Sequence, residues 1–209
     1  GGRWREHAAA YPVVRFTFND VKKASWEGAL ATIRSAVASE YRRHAYLEKS
    51  EKLSETERIL FSAIQSGSSS EGDLARSLVI LAQLLQRHHD RPVVVLIDEY
   101  DAPVMAAATN DYYREAVDFL KGWLTGALKT NDALAFGVLT GVQRISKESI
   151  FSDLNNLEVD TPMSLASDER YGFTQAEVEA LAAYREQTAG IALAREGYDG
   201  YRFGNADVY

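Results

Sequence analysis

The stretch from Val93 to Asp101 reads VVVLIDEYD, an apolar run that passes directly into Asp98 and Glu99. An uninterrupted run of β-branched residues and leucine suits a strand buried on both faces of a parallel sheet. Ligands of open α/β sheets bind beyond the carboxyl ends of such strands. A carboxylate fixed there, as Asp98 would be, can hold Mg²⁺ directly or through water beside the β- and γ-phosphates of a nucleotide. Glu99 follows it, points another way, and can orient or deprotonate an attacking water. Metal holder and base must be adjacent but differently aimed, and neighbours at a strand end meet that requirement. The chemistry is that of a Walker B strand. The competing reading is an apolar strand that ends in acids simply because it has reached solvent.

A second apolar run, Leu134 to Leu139, ends in Thr140-Gly141-Val142-Gln143-Arg144. Thr140 is placed to act as a polar sensor near a γ-phosphate, or to satisfy a local backbone group. Arg144 can reach a phosphate or a neighbouring subunit, since guanidinium stabilises transferring phosphoryl charge. It can equally form a surface salt bridge. A complete phosphate site would also need a glycine loop, G-x-x-x-x-G-K-[ST], and no segment matches it. The nearest, Gly67 to Asp73 (GSSSEGD), has Asp73 in place of lysine and follows a helical pattern rather than a strand. By itself the chain is therefore expected to bind ATP weakly or not at all. His88 and His89 are adjacent and cannot share a helix face as an i, i+4 metal pair would. They read as a helix end. With no cysteine there is neither a disulfide framework nor a thiolate metal site.

These groups need a scaffold, and the periodicities supply one. Tyr11 to Phe18 reads as a strand with Pro12 at its start, where proline is tolerated. Ser25 caps a helix carrying Trp26, Leu30, Ile33, Val37 and Tyr41 on one face. A charged stretch, Glu48 to Lys52, precedes a helix opening on the capping box Ser54-Glu55-Thr56-Glu57. After a loop from Gln65 to Ser70, a further helix carries Leu74, Leu78, Leu81 and Leu85 and ends near Asp90. Tyr113, Val117, Leu120, Leu124 and Leu128 mark another. A short strand is expected between Val159 and Leu165, then a helix capped by Thr174 with Glu177 three residues on. The glycine- and tyrosine-rich tail should form turns or a hairpin, with Tyr198, Tyr201 and Phe203 packing it rather than stacking bases. Alternating strands and helices imply a parallel sheet covered on both sides, an α/β fold of three layers.

Bulk properties narrow the function classes. The net charge of −7 disfavours nonspecific nucleic-acid binding, which needs clustered Lys and Arg. The basic cluster Arg42-Arg43-His44 lies in a helical pattern flanked by acids and reads as a solvated face. No apolar run nears the length of a membrane span, and the amino end has no signal-peptide core, so no membrane and a cytoplasmic setting are expected. The chain opens on Gly1 without methionine and stops just past a turn, which reads as a fragment of a longer protein.

Four motifs occur in order: LIDEYDAPV (Leu96 to Val104), LTGVQRISKESIFSDLNNL (Leu139 to Leu157), YGFT (Tyr171 to Thr174) and YDGYRF (Tyr198 to Phe203). Together with YPVVRFTFND near the start they resemble the prokaryotic AAA-ATPase-like family, predicted P-loop ATPases that commonly carry a PD-(D/E)xK nuclease domain at the carboxyl end. The resemblance implies a P-loop NTPase-like core over residues 1–166 whose first strand, with its Walker A loop, would precede Gly1. It implies the start of a helical lid region over residues 167–209, with the nuclease domain beyond Tyr209. The stretch between YGFT and YDGYRF is short for the family. The resemblance also implies Mg²⁺ and ATP as cofactors in the intact protein, with Asp98 on the metal, Glu99 as catalytic base and Thr140 at the sensor strand's end. It assigns Arg144 no catalytic role; a nucleotide contact there rests on position alone. An oligomer is compatible with this reading. Two alternatives stay open. One is a superfamily 2 helicase fragment, since Asp98 to Asp101 spells D-E-x-D. The other is a noncatalytic interaction module that keeps the fold without nucleotide binding.

Overall fold

The computed structural model describes residues 4–129, 131–142, 150, 157–165, 168–186, 190–198 and 201–209. They fall in two compact units, Gly1–Asn156 and Leu157–Tyr209. The first contains α1 (Trp4–His7), β1 (Val13–Thr17), α2 (Trp26–Arg43), a 3₁₀ turn (Ala45–Lys49), α3 (Glu55–Ser66), α4 (Glu71–His89), β2 (Val93–Asp98), α5 (Ala102–Ala108), α6 (Tyr113–Leu128) and β3 (Leu134–Leu139).

The helix ends follow from local chemistry. The side chains of Ser25, Ser54 and Ser70 each accept a backbone N–H in the first turn of α2, α3 and α4, and Ser54 with Glu57 completes the capping box. Gly67 ends α3 with φ +78°. The glycines of GSSSEGD thus serve a helix–turn–helix junction, in keeping with its rejection as a phosphate loop. Arg87 occupies the last turn of α4, where a cation suits the helix dipole, with His88 and His89 beside it, and Asp90 closes it.

The sheet is parallel, in the order β1-β2-β3. This is the α/β architecture expected of a P-loop NTPase-like core. One face is fully packed. Val14, Phe16 and Phe18 of the first strand and its extension, with Val93, Val95 and Ile97 of β2, are buried beneath helices that include α4 and α6. Trp123 of α6 is the keystone of this packing. Its ring meets Phe16 edge-on at 5.0 Å and Phe18 at 5.6 Å, and its indole N–H donates to Ser77 Oγ at 3.0 Å. Ser77 donates in turn to the Leu74 carbonyl, so the buried polar groups are satisfied.

The opposite face differs from the expectation of strands buried on both sides. Leu96, Val138 and Phe136 are 37%, 39% and 62% exposed. The described residues cover them only in part, and the apolar run in β2 alternates between buried and half-exposed positions. Apolar composition records that a face is suited to burial, not which neighbour covers it.

The two edges of the sheet also differ. On β1 the Glu40 carboxylate accepts the Arg15 N–H at 2.9 Å, and Arg43 donates to the Val13 carbonyl at 2.5 Å. Side chains of α2 thus occupy backbone groups that another strand would use. The Arg42-Arg43-His44 cluster is accordingly solvated only in part: Arg42 and Arg43 are exposed, whereas His44 is buried. Arg43 and the buried His44 both bond to buried Glu40, because the edge needs a charged acceptor there and that acceptor needs partners. Burial alone would push the Glu40 carboxyl up, but bonds from Arg43, His44 and the Arg15 N–H outweigh it and bring it to about 2.

In the second unit, a 3₁₀ turn (Asp168–Arg170) leads to α7 (Gln175–Tyr184), α8 (Gly190–Tyr198), β4 (Tyr201–Phe203) and β5 (Ala206–Val208). Thr174 and Glu177 form the expected capping box. The tail forms the expected hairpin, extended by a bridge between Thr174 and Val208. Gly172, at φ +99°, lets the chain pass Tyr209, whose carbonyl would lie 2.9 Å from any Cβ there. Residues 159–165 form no strand; Pro162 interrupts them, and a turn closes from Ser164 to the Thr161 carbonyl.

Candidate functional site

The candidate site lies where β1, β2 and β3 end. The backbone ladder continues just beyond the strands: Phe18 N–H donates to the Asp98 carbonyl at 3.0 Å and Thr140 N–H to the Ile97 carbonyl at 2.9 Å. The pairing of β2 with β3 shifts by one residue near its start, from Val93↔Leu134 to Val94↔Phe136, which leaves Ala135 as an extra residue in β3. This bulge decides the site. Without it Leu139 would lie beside Asp98, and a one-residue slip exchanges the two faces of a strand. With it Thr140 lies beside Asp98, and its hydroxyl donates to Asp98 Oδ1. Thr17 flanks Asp98 on the other side, by the register of β1.

Glu99 departs from the strand. Its φ of +53° lies in the left-handed region, which costs an L-residue about 1–2 kcal/mol. Two backbone bonds bracket it, Tyr100 N–H to the Thr140 carbonyl at 3.0 Å and Ala102 N–H to the Glu99 carbonyl at 3.1 Å. Its side chain pairs with Lys22, at 3.7 Å. Both line an open cavity of about 530 Å³ whose wall includes Asp101, Met105 and Val142. Asp101 is buried at the start of α5, a helix absent from the sequence-based expectations; Pro103 sits in its first turn, where proline is tolerated. Asp101 and Tyr100 press on Gly141 so closely that a Cβ there would lie 2.7 Å from Asp101 Oδ1 and 2.8 Å from Tyr100 Cε1.

Asp98, Glu99 and Thr140 are therefore gathered at one end of the sheet. Arg144 lies outside the described residues. Lys22 escaped the sequence reading, and Asp101 and Gly141 were quoted within its motifs without a role. A lysine a few residues past the carboxyl end of a strand was the available signal for Lys22; nothing local marked the contact between Gly141 and Asp101. Among the described residues no group of three or more His, Asp or Glu side chains could hold a metal. An exposed carboxylate with one oxygen steadied by a hydroxyl fits an ion such as Mg²⁺, which keeps several waters and takes one or two carboxylates plus substrate phosphates. Asp98 is the residue that would hold it.

Among the described residues no helix is long and apolar enough to cross a membrane. The chain is 37% identical over 123 residues to an uncharacterized protein in the vnfD 5′ region of Azotobacter chroococcum mcd 1, a match covering 56% of this chain and 23% of that relative. The chain thus spans well under half of the relative's length. No solved structure matches it. The model of the predicted AAA-ATPase family matches residues 2–151, which hold the whole three-stranded sheet and the acidic end of β2, and the chain belongs to that family.

Proposed function

We propose that the full-length protein is a Mg²⁺-dependent ATPase and that this chain supplies the metal-holding and water-activating part of its site. The observation that carries this reading is the juxtaposition of Asp98 and Thr140 on adjacent parallel strand ends, with Glu99 next in sequence. In the proposed roles, Asp98 holds Mg²⁺, Glu99 orients or deprotonates the attacking water, and Thr140 steadies Asp98 and senses the γ-phosphate. When bound, Mg²⁺ would offset charge on the phosphates during transfer. Arg144 is proposed as a phosphate contact.

In this reading the phosphate-binding loop comes from another segment, and among the described residues the outer edge of β3 is the place proposed for it. Glu40 and Arg43 obstruct the β1 edge, whereas the outer edge of β3 adjoins the half-exposed apolar face of Leu96, Phe136 and Val138. A strand joining there would deliver a loop beside Thr140. A lid region beginning in residues 167–209, a nuclease domain farther along, assembly into oligomers and a cytoplasmic setting complete the proposal, on the strength of the family resemblance.

The test is steady-state ATP turnover by the full-length protein with Mg²⁺. Glu99→Gln is expected to lower kcat by about 10²-fold or more, the range for a lost general base. Full activity in that variant would remove Glu99 from the base role. No turnover and no thermal shift with Mg-ATP in the full-length protein would leave a noncatalytic module instead.

A further inference from the structure

Three of the four histidines meet where the end of α2, the 3₁₀ turn Ala45–Lys49 and the end of α4 converge. Tyr46 stands among them, its ring 5.8 Å from His44, 5.3 Å from His88 and 5.7 Å from His89. Its hydroxyl lies 3.1 Å from His44 Nδ1 and 2.9 Å from His89 Nε2. The other nitrogen of His44, Nε2, lies 3.2 Å from Glu40 Oε1. One chain of bonds thus runs from exposed His89 through Tyr46 and buried His44 to the carboxylate that closes the β1 edge. Its direction follows from what each group can donate. The Glu40 carboxylate only accepts, so His44 Nε2 donates to it. In neutral His44 the second nitrogen accepts, so the Tyr46 hydroxyl donates there and its oxygen takes the His89 N–H. One proton added to His44 reverses the run, with His44 donating to Tyr46 and Tyr46 to His89. When His44 and His89 are both charged, each points an N–H at the same oxygen, and the hydroxyl hydrogen loses its acceptor in the chain.

The surrounding charges oppose that second proton. On α2, Glu40 is already bonded to Arg43. From α3, Arg58 donates to the Ser50 carbonyl at 2.8 Å, and Ser50 Oγ lies 2.8 Å from His88 Nδ1. Lys52 pairs with Asp90, the residue that closes α4. The His88 ring lies 4.7 Å from that of His89. Burial, then His88, His44 and Lys52, hold His89 below the ordinary histidine range. We propose that this chain centred on Tyr46 is an acid-sensitive clasp, which fastens the end of α4 to the end of α2 at neutral pH and opens as its histidines become charged. β2 begins at Val93, just past the clasp, so the clasp holds the approach to the strand that ends in Asp98. A histidine held below its unfolded value stabilises the fold while neutral. The fastening is therefore complete above the ordinary value of 6.5 and is lost as the pH falls below it. Glu40 titrates in a separate window, below pH 4.5.

The experiment is amide hydrogen exchange of the full-length protein, followed peptide by peptide at pH 7.5 and pH 5.5 and corrected for the intrinsic pH dependence of exchange. Wild-type protection over residues 44–53 and 85–92 is expected to fall about two- to tenfold at the lower pH, the value of one hydrogen bond, while that of α6 stays unchanged. Tyr46→Phe deletes the shared hydroxyl; it should lower protection of both segments at pH 7.5 and leave little further fall at pH 5.5. His89→Gln keeps a bonding partner for Tyr46 but does not titrate, and should remove most of the fall; on an exposed residue, it also serves should Tyr46→Phe fail to fold. Equal protection at both pH values in the wild type would overturn the proposal. So would a fall shared equally by α6, the sign of global rather than local opening. A wild-type fall retained in either variant would place the titrating group elsewhere and overturn it too.

Discussion

Replacing Glu40 with glutamine tests how the β1 edge is closed. The carboxylate accepts bonds from the Arg15 N–H, from Arg43 and from His44, and it titrates near 2 against an ordinary value of 4.5. That gap, at about 1.4 kcal/mol per pH unit, corresponds to about 3 kcal/mol of folding free energy at neutral pH. Because the folded value is depressed, the contribution is complete above pH 4.5 and is lost as the pH falls through about 2. Glu40→Gln has no such charge to lose. In urea unfolding followed by circular dichroism, the variant should be about 3 kcal/mol less stable than wild type at pH 7. By pH 3 the difference should fall to less than half, since the wild-type carboxylate has by then given up most of its advantage. A difference below about 1 kcal/mol at pH 7, smaller than a single charged hydrogen bond contributes, would refute the account. So would a difference of the same size at both pH values.

Four further outcomes are expected. Gly141→Ala places a methyl group against Asp101 and Tyr100 and should destabilise by about 1–3 kcal/mol in urea unfolding; a neutral result would mean that α5 can move away. Ser77→Ala deprives the buried Trp123 indole of its acceptor, and the same measurement should show a loss of about 1–3 kcal/mol. Phe136→Lys should change the stability of the 209-residue chain by about 0.5 kcal/mol or less, as at an ordinary exposed site, yet lower the melting temperature of the full-length protein, where the proposed strand would cover that face. Thr140→Val removes the hydroxyl that steadies Asp98 and should raise the Mg²⁺ concentration for half-maximal turnover about three- to tenfold, the value of one hydrogen bond.

Helix starts and strand positions were legible because their causes are local. Ser25, Ser54 and Thr174 cap the helices they precede, since a hydroxyl can satisfy a first-turn N–H whatever else the chain does. The leucines of α4 and the apolar run of β2 declared their elements by period. Asp98, Glu99 and Thr140 could be named because strand ends are where an α/β sheet exposes chemistry. What covers a strand's second face is not written in that strand, and one face of the sheet proved only partly covered by the described residues. The apparent strand from Val159 failed because β-branched residues without a partner have no ladder to join.

The sequence by itself thus determined that a parallel sheet would carry carboxylates at its end, because apolar periodicity and residue type depend only on neighbours along the chain. The tertiary structure decided how those groups meet. The bulge at Ala135 sets Thr140 rather than Leu139 beside Asp98, since register is a property of two strands. The left-handed backbone at Glu99 and its pairing with Lys22 are likewise decided in space, where a residue 77 positions upstream supplies the opposite charge.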